Sequence, residues 1–221
     1  MEATRVPRVK VCCISSVDEA RLAIRYGASA VGLVSAMPSG PGVIEEGLIA
    51  EIAAVVPPGV GSFLLSSAQD AESLIKQQQH CRTNTIQIVD WVPMEAYAVL
   101  REALPGIGIV QVIHVSGEES VDEALEIAPH IDALLLDSGN PNLSVKELGG
   151  TGRRHDWNLS RKIREESSVP IYLAGGLRPD NVREAIEQVG PFGLDICSGV
   201  RSNGELDEEK LGRFMRAVSG S

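Results

Sequence analysis

Eight short β-branched runs alternate strictly with eight longer amphipathic stretches along the 221 residues, which predicts parallel strands joined by crossover helices. Apolar residues make up 43% of the chain but aromatics only 4%. The core must therefore be built from Val, Ile, Leu and Ala, a composition suited to strands buried on both faces. At this length, closure at eight gives a single (β/α)8 TIM-type barrel domain spanning 1–221; an open doubly wound sheet is the structural rival.

Each element has its own signal. The first strand, Arg8–Ile14, leads into a helical pattern at 17–27 with Asp18 near its positive end. A second strand at Ala30–Ser35 precedes a helix at 44–56, which Pro57-Pro58-Gly59 ends before the strand Val60–Leu65. Asp70 opens the helix at 69–80, followed by the strand Thr85–Val89 and a helix at 93–103. Pro105-Gly106 separates that helix from the strand Ile107–His114; a helix at 119–129 and the strand Ala133–Asp137 follow. After the irregular stretch 138–156 come a helix at 158–168 and the strand Ile171–Ala174, opened by Pro170, where a missing N–H does least harm. Asp180 lies near the start of the helix at 179–189, and Gly190-Pro191 breaks it before the strand Gly193–Cys197 and a last helix at 207–218. No linker, repeat or low-complexity tract divides the chain.

The formal net charge of −10 disfavours nucleic acid and anionic membranes as partners, so an anionic ligand must be met by a local positive site. The start, MEATRVPRVKVCC, has no apolar leader-like core, and no run is long enough to span a membrane. A cytoplasmic protein is expected. Cys12, Cys13, Cys81 and Cys197 show neither CxxC spacing nor nearby paired histidines, so no metal site and no disulfide framework are expected. Cys81 and Cys197 read as small buried hydrophobes.

Three glycine-rich turns lie late in the chain: Gly149-Gly150-Thr151-Gly152, Gly175-Gly176-Leu177 and Ser198-Gly199-Val200. The last two each follow a strand and precede a helix, where backbone N–H groups can approach a phosphate and the helix dipole favours it. Barrels commonly bind phosphate with the loops after strands seven and eight. The competing reading is that these glycines only make tight turns. Stretch 138–156 follows strand six on the face where barrel active sites sit, and loops of this length are usually functional.

In the first strand, alternation puts Lys10 and Cys12 on one face and Val9, Val11 and Cys13 on the other. With the valines toward the helices, Lys10 and Cys12 point into the barrel, where a lysine charge would favour the thiolate and make Cys12 usable as a base. Asp137 ends an apolar strand at the catalytic face; partial burial would raise its pKa, as a general acid requires. Asp195, on the last strand, could accept hydrogen bonds from sugar hydroxyls or satisfy nearby donors. Each has a plainer reading: a packed thiol, a turn-capping carboxylate.

Lys10-Val11-Cys12-Cys13-Ile14-Ser15 is similar to the Lys-Ile-Cys-Gly-Ile-Thr opening of phosphoribosylanthranilate isomerases. Gly149 to Trp157 resembles their GGTGxxFDW signature, and Leu173 to Val182 resembles LAGGLxPENV. Asp195 to Val200 follows DVSSGVE up to its last position. The resemblance implies an Amadori rearrangement of N-(5′-phosphoribosyl)anthranilate in tryptophan biosynthesis, with Cys12 as general base and Asp137 as general acid. It implies no metal or organic cofactor, a small phosphorylated sugar as substrate, and a monomer or homodimer. Lys10, Gly149, Gly150, Gly152, Gly175, Gly176, Asp195, Ser198 and Gly199 are the expected substrate and phosphate contacts.

Three positions depart from the family pattern. The stretch Ser35-Ala36-Met37-Pro38-Ser39-Gly40-Pro41-Gly42-Val43 has no basic residue where the family has a Ser-Pro-Arg-like segment that pairs with the anthranilate carboxylate. Gln87-Ile88-Val89-Asp90 replaces Gln-Leu-His-Gly, and Cys13 replaces glycine. Arg153, Arg154 and Arg178 are candidate substitute cations. Two further readings follow: a diverged isomerase of a phosphorylated aminosugar without a carboxylate, and a non-catalytic phosphosugar-binding barrel. A Schiff-base aldolase is disfavoured because no lysine ends a middle strand.

Overall fold

The computed structural model describes residues 6–139, 146–148 and 152–220. Strands β1 (Arg8–Val11), β2 (Ala30–Val34), β3 (Gly61–Ser66), β4 (Thr85–Ile88), β5 (Gly108–His114), β6 (Ala133–Asp137), β7 (Ile171–Leu173) and β8 (Gly193–Ile196) pair in sequence order. All neighbours are parallel, and β1 pairs with β8, so the sheet is a closed barrel rather than an open one. The helices α1 (Val17–Arg25), α2 (Glu46–Val55), α3 (Ala71–Cys81), α4 (Met94–Ala103), α5 (Glu119–Ile127), α6 (Trp157–Glu166), α7 (Val182–Val189) and α8 (Glu208–Ser219) follow their strands in turn.

Period-two alternation separates two apolar clusters. Outward side chains such as Val9, Val11, Leu33, Ile86, Leu134 and Leu173 pack beneath the helices. Inward ones, including Phe63, Leu65, Val110, Val112, Leu135 and Tyr172, fill the barrel. Each fully buried Leu or Ile contributes about 1.5–3 kcal/mol, so the helix-facing cluster dominates the cohesion. The rings of Phe63, Tyr172 and Phe192 meet edge-on at 5.9 and 5.6 Å near the strand N-termini and plug that end. The opposite end is left for a site.

Helix starts are capped by side chains that accept backbone N–H groups: Ser16 from Glu19, Asp70 from Ser73, Asp156 from Asn158 and Asp207 from Lys210. Such caps contribute about 1 kcal/mol each. Where boundaries differ from expectation, a local cause is visible. Strand β1 ends at Val11 instead of Ile14 because Cys13 has φ +61, a left-handed backbone that no strand continues through. That also corrects the expected alternation: Cys13 belongs to the inner cluster with Cys12, not to the valine face. Helix α7 starts at Val182 rather than 179, because Asn181 accepts from the Arg178 N–H and donates to the Gly176 carbonyl, holding 178–181 as a turn.

A small hairpin, β9 (Arg201–Ser202) with β10 (Glu205–Leu206), is absent from the strand–helix alternation. Its turn residues Asn203 and Gly204 have φ +53 and +86, the type I′ geometry that an Asn-Gly pair favours. That pair is legible in the sequence; alternation alone passes over it. Among the described residues, no helix is long and apolar enough to cross a membrane.

Candidate active site

At the C-terminal ends of the strands opens a cavity of about 700 Å³, its mouth included. It lies on the face where barrels carry their chemistry. Cys12, Asp137, Gln87, Asp195 and the turns at Gly152, Gly175–Gly176 and Ser198 all line it.

The first-strand side of the site depends on a missing side chain. Gly32 on β2 lies against β1, and a Cβ there would sit 2.8 Å from Cys12 Sγ and 3.0 Å from Lys10 Nζ. Bare glycine thus lets the thiol and the ammonium pack over β2 together, a requirement invisible to periodicity. Lys10 is fully buried and donates to Asp195 Oδ1 at 2.8 Å, across from it in the β1–β8 register. Burial pulls the Lys10 ammonium toward its neutral form, but the Asp195 carboxylate, with Cys12 and Cys13 adding, outweighs it, and the net shift is upward. Lys10 is not among the cavity-lining residues. Its stem and head are enclosed by the barrel, which places its charge beneath the floor against Asp195.

Across the cavity, Asp137 ends β6 and is 8% exposed. Burial raises its carboxyl above the ordinary range, outweighing the Ser138 N–H at 2.7 Å and the nearby His114 and Lys10, while Asp195 adds to the rise. His114 on β5, opposite Asp137 in register, faces the Val89 carbonyl with Nε2 at 3.0 Å. That bond puts the proton on Nε2, and buried Nδ1 has no hydrogen-bond partner among the described residues. Gln87 is buried, lines the cavity, and leaves Oε1 unpaired in the same sense. A buried amide oxygen without a protein partner is open to a donor from a ligand or an ordered water. Its only sequence signal is its place in the altered strand-four motif.

The glycine turns converge as expected in part. Gly152, Gly175, Gly176 and Ser198 line one cavity. Gly176 has φ +62, and a Cβ there would lie 2.8 Å from the Gly152 carbonyl, so the two turns pack backbone to backbone. Gly199 is not a lining residue; it packs against the Leu177 carbonyl, where a Cβ would collide. Gly149 and Gly150 lie outside the described residues. His155 sits behind Gly175, and burial holds its imidazole down at about 4.

None of the three candidate cations lines the cavity. Arg153 pairs with Glu147, Arg154 lies over the Trp157 ring at 3.5 Å and pairs with Glu184, and Arg178 pairs with Asp180. Each guanidinium is held by a carboxylate on its own or a neighbouring segment. The 35–43 loop does reach the site: Met37, Ser39, Gly40 and Pro41 line it, and Ser39 donates to the Lys146 carbonyl at 2.5 Å. Lys146 itself is paired with buried Asp90 at 2.6 Å. Among the described residues, no group of three His, Cys, Asp or Glu is placed to hold a metal ion.

One important residue escapes sequence reasoning altogether. Arg201 stands where DVSSGVE has its final glutamate, and its guanidinium donates to Glu19 Oε1 at 3.0 Å, to the Cys12 carbonyl at 3.3 Å and to the Cys13 carbonyl. It ties the turn after β1 to the turn after β8. Cys197, expected as a buried packing residue, instead lines the cavity with its thiol 2.7 Å from that of Cys13.

The profile described as N-(5'phosphoribosyl)anthranilate (PRA) isomerase matches residues 9–217. The N-(5'-phosphoribosyl)anthranilate isomerase of Methanosarcina acetivorans is 33% identical over 96% of this chain and 92% of its own. The crystal structure of phosphoribosyl anthranilate isomerase from Thermotoga maritima superposes with a TM-score of 0.83 at 29% identity, covering 97% of this chain and all of that one. A phosphoribosyl anthranilate isomerase solved in complex with reduced 1-(o-carboxyphenylamino)-1-deoxyribulose 5-phosphate gives 0.81 at 27% identity, with 97% and 100% covered. With the barrel closed and the glycine turns, the Cys12 thiol and the Asp137 carboxyl lining one cavity, this chain belongs to the N-(5'-phosphoribosyl)anthranilate isomerase family.

Proposed function

We propose that the chain isomerises N-(5′-phosphoribosyl)anthranilate to 1-(2-carboxyphenylamino)-1-deoxyribulose 5-phosphate, an aldose–ketose type rearrangement of tryptophan biosynthesis. The observation that carries this reading is the opening of Cys12 and Asp137 onto the cavity that Gly152, Gly175, Gly176 and Ser198 also line. The phosphate would sit on those turns, whose backbone approaches closely where side chains are missing. Asp137, whose carboxyl burial raises above the ordinary range, would protonate the furanose oxygen and open the ring to an iminium. Cys12 would then take the proton from ribose C2, and the resulting enolamine would tautomerise to the ketone. Acid and base at the ends of different strands around one cavity suit a reaction that moves two protons at separate atoms. A cytoplasmic setting belongs to the same reading, since a phosphorylated substrate does not leave the compartment that makes it. Assembly as a monomer or a homodimer is compatible with it.

A second reading is favoured by one observation: among the described residues, no Lys or Arg lines the cavity. A carboxylate without a cation forgoes a charge-assisted contact of about 1.5–3 kcal/mol, roughly tenfold to a hundredfold in binding. The alternative substrate is a phosphoribosylated amine without a carboxylate. The test is turnover, followed by fluorescence loss, with phosphoribosylanthranilate and with the phosphoribosylaniline that lacks the carboxylate. Greater kcat/KM on the anthranilate supports the first reading; turnover of the phosphoribosylaniline alone selects the second, and turnover of neither rejects both.

A further inference from the structure

Three departures from the family motifs, far apart in the chain, meet beside the cavity. Cys13 replaces the glycine of the first motif, Cys197 the first serine of DVSSGVE, and Arg201 its glutamate. The thiols of Cys13 and Cys197 share a hydrogen bond at 2.7 Å, and both residues line the cavity through which a small oxidant could reach them. Their sulfurs are only about 0.7 Å beyond a disulfide bond length of roughly 2.05 Å. Cys13 also holds φ +61, a left-handed backbone that side-chain-bearing residues rarely adopt. Glycine would remove that strain, and a thiol retained against it points to use of the thiol.

We propose that Cys13 and Cys197 form a reversible disulfide in response to peroxide, a redox-modification site at the rim of the catalytic cavity. Cys197 is the attacking sulfur. Its hydrogen bond with Cys13 holds its thiol below the usual range despite burial, and the Arg201 guanidinium adds to the effect. Cys13 is held above the usual range by hydrogen bonds with Cys12 and Cys197 and by burial, and so keeps its proton. The Cys197 thiolate attacks one peroxide oxygen; an S–O bond forms, the O–O bond breaks, and hydroxide leaves to become water. Cys13 sulfur then attacks the sulfenic sulfur, the S–S bond forms, the S–O bond breaks, and the departing hydroxide takes the Cys13 proton as a second water. Two thiols are oxidised to one disulfide, and one hydrogen peroxide is reduced to two waters.

The bond would join the turn after β1 to the turn after β8. Cys12 is next to the first, donating its N–H to the Ile196 carbonyl at 2.8 Å, and Ser198 is next to the second. Cross-linking therefore shifts the proposed base and a proposed phosphate contact together. The disulfide itself stands apart from the proposed reaction; only the loss of turnover rests on that reading.

The test exposes the reduced full-length chain to limiting hydrogen peroxide, alkylates it with iodoacetamide and maps the peptides, with fragmentation between Cys12 and Cys13 to place any link. The expected product joins Cys13 to Cys197, lighter by two hydrogens, with Cys12 and Cys81 alkylated. Turnover should fall by roughly tenfold or more through misplacement of the site and return with dithiothreitol. Cys13→Gly, which suits the left-handed backbone, and Cys197→Ser should each abolish the link and the dithiothreitol-reversible part of the loss. Alkylation of both Cys13 and Cys197 after oxidation, or a link through Cys12, overturns the proposal. A Cys13–Cys197 link that leaves turnover unchanged overturns its effect on catalysis. A link in protein whose reduced form never turns over phosphoribosylanthranilate leaves the disulfide standing and removes the phosphoribosylanthranilate reading instead.

Discussion

Asp137 and Cys12 do different work, and their replacements should differ in kind. Asp137→Asn keeps the shape of the side chain but removes the proton donor, so kcat should fall by about 10²–10⁴ with little change in KM. A kcat within a few-fold of the parent would remove Asp137 from the acid's role. Stability supplies an independent reading of the same group. Burial raises the Asp137 carboxyl, so the folded chain holds this proton to higher pH than the unfolded chain does. The stabilisation is complete below the ordinary carboxylate range and is lost as pH rises through the shifted value. The unfolding free energy of the parent relative to Asp137→Asn should therefore decline with rising pH in denaturant titrations. A difference flat in pH would show that the carboxyl is not shifted by burial.

Individual elements are shaped by what they leave out. Strand β2 carries Gly32 where Cys12 and Lys10 approach closest, and Gly32→Ala should displace one or both. Turnover should drop by roughly a hundredfold, as expected of a catalytic group moved by about 1 Å, while the helical circular dichroism stays native. Parent-like turnover would mean that β1 can move aside freely. The turn after β7 is the matching case on the phosphate side. At φ +62, with the Gly152 carbonyl 2.8 Å from where its Cβ would be, Gly176→Ala should weaken inhibition by inorganic phosphate by about tenfold or more and cost roughly 1–2 kcal/mol. Unaltered phosphate inhibition would place the anion elsewhere.

At the scale of the molecule, the barrel closes between its first and last strands, and Lys10–Asp195 spans that seam with its lysine fully buried. Removing one partner leaves a buried charge unmatched, so Lys10→Met or Asp195→Leu alone should destabilise the fold by about 3–5 kcal/mol. The double replacement Lys10→Met with Asp195→Leu should lose distinctly less than the sum of the single changes, because no orphaned charge remains. Chemical denaturation of the four proteins measures this coupling. Strict additivity would mean that the pair does not hold the seam.

How far the sequence determined this protein follows from the range over which each signal acts. Alternating strands and helices, proline and glycine breaks and capping aspartates act over a few residues, and they suffice for eight strands, eight helices and the turns after β7 and β8. The motifs around Cys12, Asp137 and Gly176 likewise point to the chemistry expected of them. Tertiary structure decided what depends on residues distant in the chain: that Lys10 pairs with Asp195 beneath the cavity floor, and that Gly32 makes room for the thiol. It also decided that Arg153, Arg154 and Arg178 are occupied by carboxylates, and that Cys13 meets Cys197 across the β1–β8 seam. Local periodicity states which way a side chain points, but closure of the barrel states what it meets there.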